Sequence, residues 1–397
     1  MTLRAIANVR DALASRPAEI EAARKQGAKV IGWFGYATPI EIIHALGLIP
    51  IRLGRGGDDR LVEIGARYIS NQNCVFLRAS IGLFAEKNDV YVKNVDAVAI
   101  DGTCLQMYRM ADLLDYYFKV KTVVLCVPRT FQTAGARAYF HRELQWFVHE
   151  LEEIAGTPLD PEKLAESVAL YSSIRNTTRE LYHHVSRGRL SLTWRELYEA
   201  VHAGYYLSPE KYASLLHELL ARVEHGENTV AASDGPRIML SGSVLAPGDT
   251  KLIEIIEQAG GRVVVDDLWS GLSPSLVRIN EPTVTGIADA YMDRVPHAAQ
   301  PHLDRQTDHR LANMMRLVRE SNVDGVIYHT LRYCDPFTFK AVEVKEVLGN
   351  EGIPMIEIHT EYAGSDTEAI RTRVEAFIEL LTSRGCRPGQ PVAEVRV

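Results

Sequence analysis

Two widely separated stretches of the chain follow one pattern, and that repetition limits the possible fold more than any single motif. KVIGWFGYATPIEIIHALGLIPIRL, from Lys29 to Leu53, reads as strand, loop, helix, strand. PRIMLSGSVLAPGDTKLIEIIEQAGGRVVVDDL, from Pro236 to Leu268, has the same order with a proline in the same loop. Downstream, NVDAVAIDGTC ending at Cys104 is echoed by NVDGVIYHTLRYC ending at Cys334. Each is a short apolar strand closely followed by a cysteine, then a helical stretch and a further strand, KTVVLCVP in one case and IPMIEIH in the other. Apolar strands alternating with helices build parallel sheets. The expected fold is α/β: two Rossmann-like, doubly wound parallel-sheet domains related by a weak internal repeat, with a helical section between them.

The middle of the chain breaks the pattern. From about Gly135 to Val230 there are few β-branched runs and long 3.6-period stretches such as RELQWFVHELEEI and PEKYASLLHELLARVEH, which read as consecutive helices. The polar, small-residue tract HGENTVAASDGPR, around Gly226 to Arg237, reads as a linker. The expected division is an N-terminal α/β domain over 1–134, a helical section over 135–230 and a C-terminal α/β domain over 231–397.

Composition narrows the function classes. With 397 residues, 46% hydrophobic and 24% charged, the chain has the make-up of a folded globular protein. A formal charge of −7 gives no footprint for nucleic acid or for an anionic membrane surface. No apolar run approaches the roughly 20 residues needed to span a bilayer, and the charge-interleaved N-terminus reads as an amphipathic surface helix, not a signal peptide. Five cysteines, an odd count without an export signal, point to reduced thiols in the cytoplasm.

Each cysteine then needs its own account. Cys126 lies within the apolar run TVVLCVP and reads as core packing, and Cys386, in SRGCRPG, as incidental to an exposed tail. Cys74, Cys104 and Cys334 sit beside polar loop residues in NQNC, DGTC and RYCDP. In open parallel sheets ligands bind outside the carboxyl ends of the strands, where Cys104 and Cys334 both fall. Three thiolates spaced this way match no zinc ribbon or ferredoxin, which use a C-x-x-C pair, but strand ends can assemble such a site in three dimensions. Thiolate ligation suits zinc or an iron–sulfur centre alike, with a fourth position open for chemistry. A nucleophilic cysteine is the competing enzyme reading, although no histidine can be paired with one from sequence.

These residues also carry a resemblance. IGWFGYATPIEIIHALGLIPIRL, with Pro39, Glu41, Ala45, Gly47 and Pro50, together with NCVFLRAS around Cys74, DGTC, VVVDDLWSG, YCDPF and IPMIEIHTEYAGSDTEAIRTRVEAFIE, is similar to the iron–sulfur subunits of the 2-hydroxyacyl-CoA dehydratases and ATP-dependent benzoyl-CoA reductases. The resemblance covers most of the chain. It implies a [4Fe-4S] cluster on Cys74, Cys104 and Cys334, a homologous second cluster-bearing subunit in a heterodimer, and a separate ATPase activator with its own [4Fe-4S] cluster. The substrate it implies is an acyl-CoA thioester, reduced by single low-potential electrons. The chain has no G-x-x-x-x-G-K-[ST] loop, so it is not itself the ATPase. Many relatives carry a cysteine where this chain has Gly35, and double-cubane relatives carry extra cysteines where it has LSGS and DLWSG, so too few thiols remain for the larger cluster.

Between branches, an arginine content far above lysine hints at a GC-rich genome and leans towards benzoyl-CoA reductase, with a (R)-2-hydroxyacyl-CoA dehydratase subunit as the alternative. A reading of another class is a non-catalytic electron relay or scaffold, and a third is a structural zinc protein. Glu41 and His44, at i and i+3 on the first helix after the repeat's opening strand, are candidate proton-transfer groups, against a solvated helix face for the first and a packed imidazole for the second. Arg78 and Arg109 are candidates for CoA phosphate or cluster charge, against surface ion pairs. Asp101 and Asp335 read as turn caps, His297 and His302 as an exposed loop, His183 and His184 as helix surface, and Gly260–Gly261 as a helix stop.

Overall fold

The computed structural model describes residues 4–187, 192–226, 235–300 and 308–384. Eight strands among these residues form two four-stranded sheets. The first holds β1 (Val30–Phe34), β2 (Ile49–Arg52), β3 (Ala97–Asp101) and β4 (Thr122–Leu125) in the order β2-β1-β3-β4. The second holds β5 (Arg237–Gly242), β6 (Arg262–Asp266), β7 (Gly325–Leu331) and β8 (Met355–Thr360) in the order β6-β5-β7-β8. Every pairing is parallel. The two halves therefore share one winding, as the repeated sequence pattern predicts.

Burial explains why these segments are strands. All residues of β1, β3 and β7 are buried, as expected for parallel strands covered by helices on both faces. β4, at the sheet edge, alternates half-buried and buried positions. The repeat extends to single atoms. The Asp96 carboxylate accepts the Val30 amide of β1 at 2.7 Å, and the Asp324 carboxylate accepts the Arg237 amide of β5 at 2.7 Å. Each aspartate also returns its own amide to the same residue's carbonyl, at 2.8 Å in both halves.

Four helices between the sheets, Ala134–Ala155, Pro161–Ser186, Trp194–Ala203 and Pro209–Glu224, fill the helical stretch expected from the sequence. They are not a detached module. Phe140, Leu144, Phe147 and Leu151 of the first pack with Ile31 and Trp33 of β1. The Pro161–Ser186 helix spans both halves: Arg175 pairs with Glu41 beside the first sheet, and the Tyr182 hydroxyl donates to Asp266 at the end of β6, 2.8 Å away. The N-terminal helix Arg4–Lys25 buries Ala5, Val9, Ala12, Arg16 and Ile20 along one face, the amphipathic pattern read from its sequence. No helix among the described residues is long and apolar enough to cross a membrane.

Candidate metal centre

Cys74, Cys104 and Cys334 occupy the same local position in three different places. Each is the N-cap of a helix: Val75–Glu86, Leu105–Phe118 and Asp335–Asn350, respectively. Each sulfur thus lies at a helix end whose first-turn amides favour negative charge. Cys104 follows β3 and Cys334 follows β7. In each sheet the chain runs outwards in opposite directions on the two sides of the gap between the first strand and this one, the place where open α/β sheets bind ligands. Tyr333, in the left-handed region at φ 63°, turns the chain from β7 into the Cys334 helix.

Cys74 reaches the same place from a loop. Arg78 Nε donates to the Asn73 carbonyl at 3.1 Å, Arg109 donates to the Asn73 side-chain oxygen at 2.6 Å, and Asn73 Nδ2 donates to the Ser70 carbonyl at 3.0 Å. The Val75 amide then donates to the Arg332 carbonyl at 3.3 Å, tying the Cys74 turn to the Cys334 turn of the other half. Arg78 and Arg109 thus hold the residue before a candidate ligand.

The three cysteines line one pocket of about 520 Å³, with Gly35, Tyr36, Phe76, Met107, Trp269 and Phe337 among its walls. The Cys334 side chain, within hydrogen-bonding reach, holds the Cys74 thiol below its ordinary range, with burial opposing and the amides of Leu77 and Phe76 assisting. Cys334 is raised correspondingly by Cys74 and by burial. Burial pushes Cys104 up to about 11. Two wall residues, Gln106 and Trp269, carry buried polar atoms without a hydrogen-bond partner, Oε1 and Nε1. Buried polar atoms of that kind are usually satisfied by a ligand or water. Among the described residues no group of three or more His, Cys, Asp or Glu is arranged to hold a single metal ion.

The first loop of the pocket excludes a side chain. Gly35 has φ 87°, and a Cβ there would lie 1.7 Å from Asp101 Oδ1. That carboxylate accepts the amides of Tyr36 at 3.0 Å and Ala37 at 2.8 Å, and burial raises it to about 6. Asp101 therefore caps the loop after β1, across the sheet from its own strand. Asp335 is the first residue of the Cys334 helix.

Other residues singled out from the sequence lie elsewhere. Glu41 and His44 share the short helix Ile40–Ala45, and neither lines the pocket. Glu41 is wholly buried, not on a solvated face: its carboxylate meets Arg175 and accepts the Tyr291 hydroxyl at 3.1 Å. His44 sits between Ser167 Oγ and Glu210 Oε1, each 2.9 Å from a ring nitrogen. Cys126 is half-exposed, not core, because β4 is an edge strand whose end opens towards Tyr108, Tyr139 and Glu143. His297 is buried, not on an exposed loop. Its ring meets Phe337 and Trp269 edge-on, and burial lowers it to about 3, keeping it neutral. His183 and His184 lie at the end of the Pro161–Ser186 helix, exposed and half-buried. Gly260, at φ 86°, stops a helix before β6. His302 and Cys386 lie outside the described residues. Trp269 escapes the sequence reading, although the position of DDLWSG just past a strand marks it.

Comparison with known proteins finds relatives along nearly the whole chain. It is 25% identical over 364 residues to the putative dehydratase subunit YjiM of Escherichia coli (strain K12), covering 90% of this chain and 93% of that protein. It is 24% identical to one of the subunits of benzoyl-CoA reductase from Thauera aromatica, over 88% of this chain and 90% of the relative. It is 22% identical to the beta subunit of (R)-2-hydroxyglutaryl-CoA dehydratase of Acidaminococcus fermentans, over 90% and 94%. Residues 36–381, which include all three N-cap cysteines and both sheets apart from β1, match one family throughout. The chain belongs to the family described as 2-hydroxyglutaryl-CoA dehydratase, D-component.

Proposed function

We propose that this chain is a [4Fe-4S]-bearing subunit of an enzyme that activates CoA thioesters by ATP-driven, single-electron reduction, with Cys74, Cys104 and Cys334 as the cluster ligands. The observation that carries the reading is the meeting of three helix N-cap cysteines, from three separate segments, in one pocket. The donor chemistry fits: three thiols, walls that are mostly aromatic or aliphatic, and helix N-termini that offset thiolate charge. When bound, such a cluster supplies one electron at a time at a low potential set by charge, hydrogen bonding and burial.

The chain's own residues do the rest. Arg78 and Arg109 fix the Asn73 turn so that Cys74 is presented to the pocket, and Arg78 also favours the Cys74 thiolate. Asp101 closes the first loop against a fourth protein ligand, leaving one position open to a non-protein group. Tyr36, Phe76, Trp269 and Phe337 exclude water from the pocket and offer flat apolar faces to an acyl group. Those faces support the aromatic, benzoyl-CoA reductase branch over a 2-hydroxyacyl-CoA dehydratase. Glu41 and His44 are assigned to positioning the first loop, through Arg175, Tyr291 and Ser167. The partners are a homologous subunit and a separate ATPase activator, and the compartment is the cytoplasm.

The test is iron and acid-labile sulfide per chain after strictly anaerobic purification, in wild type and Cys104→Ser, followed by addition of benzoyl-CoA and of a (R)-2-hydroxyacyl-CoA. About four of each per chain is expected, falling sharply in the variant. The aromatic thioester is expected to perturb the cluster spectrum. Perturbation by the hydroxyacyl thioester alone would move the assignment to the dehydratase branch. A cluster indifferent to both would make the chain a relay, and zinc without iron would overturn the redox reading.

A further inference from the structure

A second, smaller chamber opens beside the thiol pocket and shares Tyr36, Trp269, His297 and Phe337 with it. Beside Val295, Pro296 and Ala298, its remaining walls are Ser241 and Gly242 at the end of β5, Asp267 just past β6, Ser273, and Arg310 on the helix His309–Glu320. Asp267 Oδ1 is buried and without a hydrogen-bond partner, while the buried Arg310 Nη2 has only a long contact, 3.5 Å to Glu343 Oε2. A buried carboxylate oxygen left unpaired in a chamber with room for a water molecule is ordinarily satisfied by one, and the Arg310 charge lines the same chamber.

We propose that Asp267 is a proton station coupled electrostatically to the thiol pocket, exchanging one proton with solvent through water held in the chamber as the charge of the pocket changes. This rests on the reading of that pocket as a redox site. When one electron enters from a low-potential one-electron donor, the added negative charge draws one proton from solvent, by way of the chamber water, onto the Asp267 carboxylate. When the electron moves on to its acceptor, the Asp267 O–H bond breaks and the proton follows through the same water. One proton accompanies each electron, and no other bond changes.

The surroundings of Asp267 suit this exchange. Burial raises its carboxyl to about 6, opposed by the Ser241 hydroxyl, which donates to Oδ2 at 3.1 Å, and by the charge of Arg310. Asp266 precedes it and is likewise raised, to about 7, by burial. Tyr36 and Tyr328 feel its charge and are raised by burial, and the neighbouring His297 is neutral. Arg310 Nη2 lies 3.5 Å from Glu343 Oε2, which holds the guanidinium in place beside the chamber. Among the described residues no other carboxyl lines either space.

The experiment is an anaerobic redox titration of the full-length chain between pH 5 and 9, with iron measured in the same samples, for wild type, Asp267→Asn, Asp267→Glu and Arg310→Met. The wild-type midpoint potential is expected to become more negative as pH rises above about 6. Asp267→Asn is expected to be flat with pH, Asp267→Glu to restore the dependence, and Arg310→Met to move its onset to higher pH by removing the cation. An Asp267→Asn chain that keeps the wild-type dependence, or a wild-type potential indifferent to pH in iron-loaded chain, overturns the proton station and leaves the cluster reading standing. A wild-type chain that takes up no iron overturns both.

Discussion

The carboxylate of Asp101 occupies the space that any side chain on Gly35 would need: a Cβ there falls 1.7 Å from Oδ1 and 2.4 Å from Cγ. The two residues end neighbouring strands, and the carboxylate holds the loop by accepting the amides of Tyr36 and Ala37. Gly35→Ala is expected to destabilise the chain by about 2–4 kcal/mol, through both the positive φ and the clash. Urea unfolding of the variant checks this. A loss within a few tenths of a kcal/mol of wild type would show that the loop can yield.

The Glu41–Arg175 pair lies wholly in the interior, with Tyr291 as a third member. Arg175→Met leaves a buried carboxylate without its cation and is expected to cost about 3–5 kcal/mol. The double variant Glu41→Leu, Arg175→Met should recover much of that, because no charge is then buried. Chemical denaturation of the three proteins measures the coupling.

Asp96 and Asp324 do the same work in the two halves, each fastening the start of a central strand. Asp96→Ala and Asp324→Ala should each cost roughly 1–3 kcal/mol, from a buried amide left unpaired. The Asp96 variant should lose slightly more because its carboxylate also meets Arg24. Very unequal losses, read by thermal unfolding, would break the equivalence.

Asp266 has a pH signature of its own. Burial raises its carboxyl from 3.8 to about 7, so the folded chain holds a proton that the unfolded chain releases. Its contribution to stability is full below about pH 4 and is lost as pH rises through 7. Asp266→Asn keeps an acceptor for the amides of Leu268 and Leu272 and has no proton to lose. Relative to wild type, the variant should gain stability between pH 5 and 8, on the order of 2 kcal/mol. Denaturation at the two pH values tests it, and a constant difference would refute it. His202 and His329, lowered to about 3 and 4 by burial, act in the opposite sense in both proteins and cancel in the comparison.

What could be read from sequence follows the range of the forces involved. Apolar period and turn residues are local, so both sheets, the helical stretch and the strand-end placement of Cys104 and Cys334 were legible. Burial of a polar side chain depends on partners far along the chain. Glu41 finds Arg175 and Tyr291 only in three dimensions, and His297 is covered by Trp269 and Phe337 from two other segments. Cys126 misled because an apolar run looks the same on an edge strand as in a sheet centre, and only strand order tells them apart. Asp267 sits in the readable motif DDLWSG, but its unpaired oxygen and the chamber it lines are properties of the folded chain.

Cys74 and Cys104 belong to the half of the chain built on the first sheet, and Cys334 to the half built on the second. A group bonded to all three is a rivet through both. Such a group could bond all three only after Cys334 has been made and the two halves have come together. Without such a group, contacts such as the Val75–Arg332 hydrogen bond and the helix Pro161–Ser186 would still hold the halves in register.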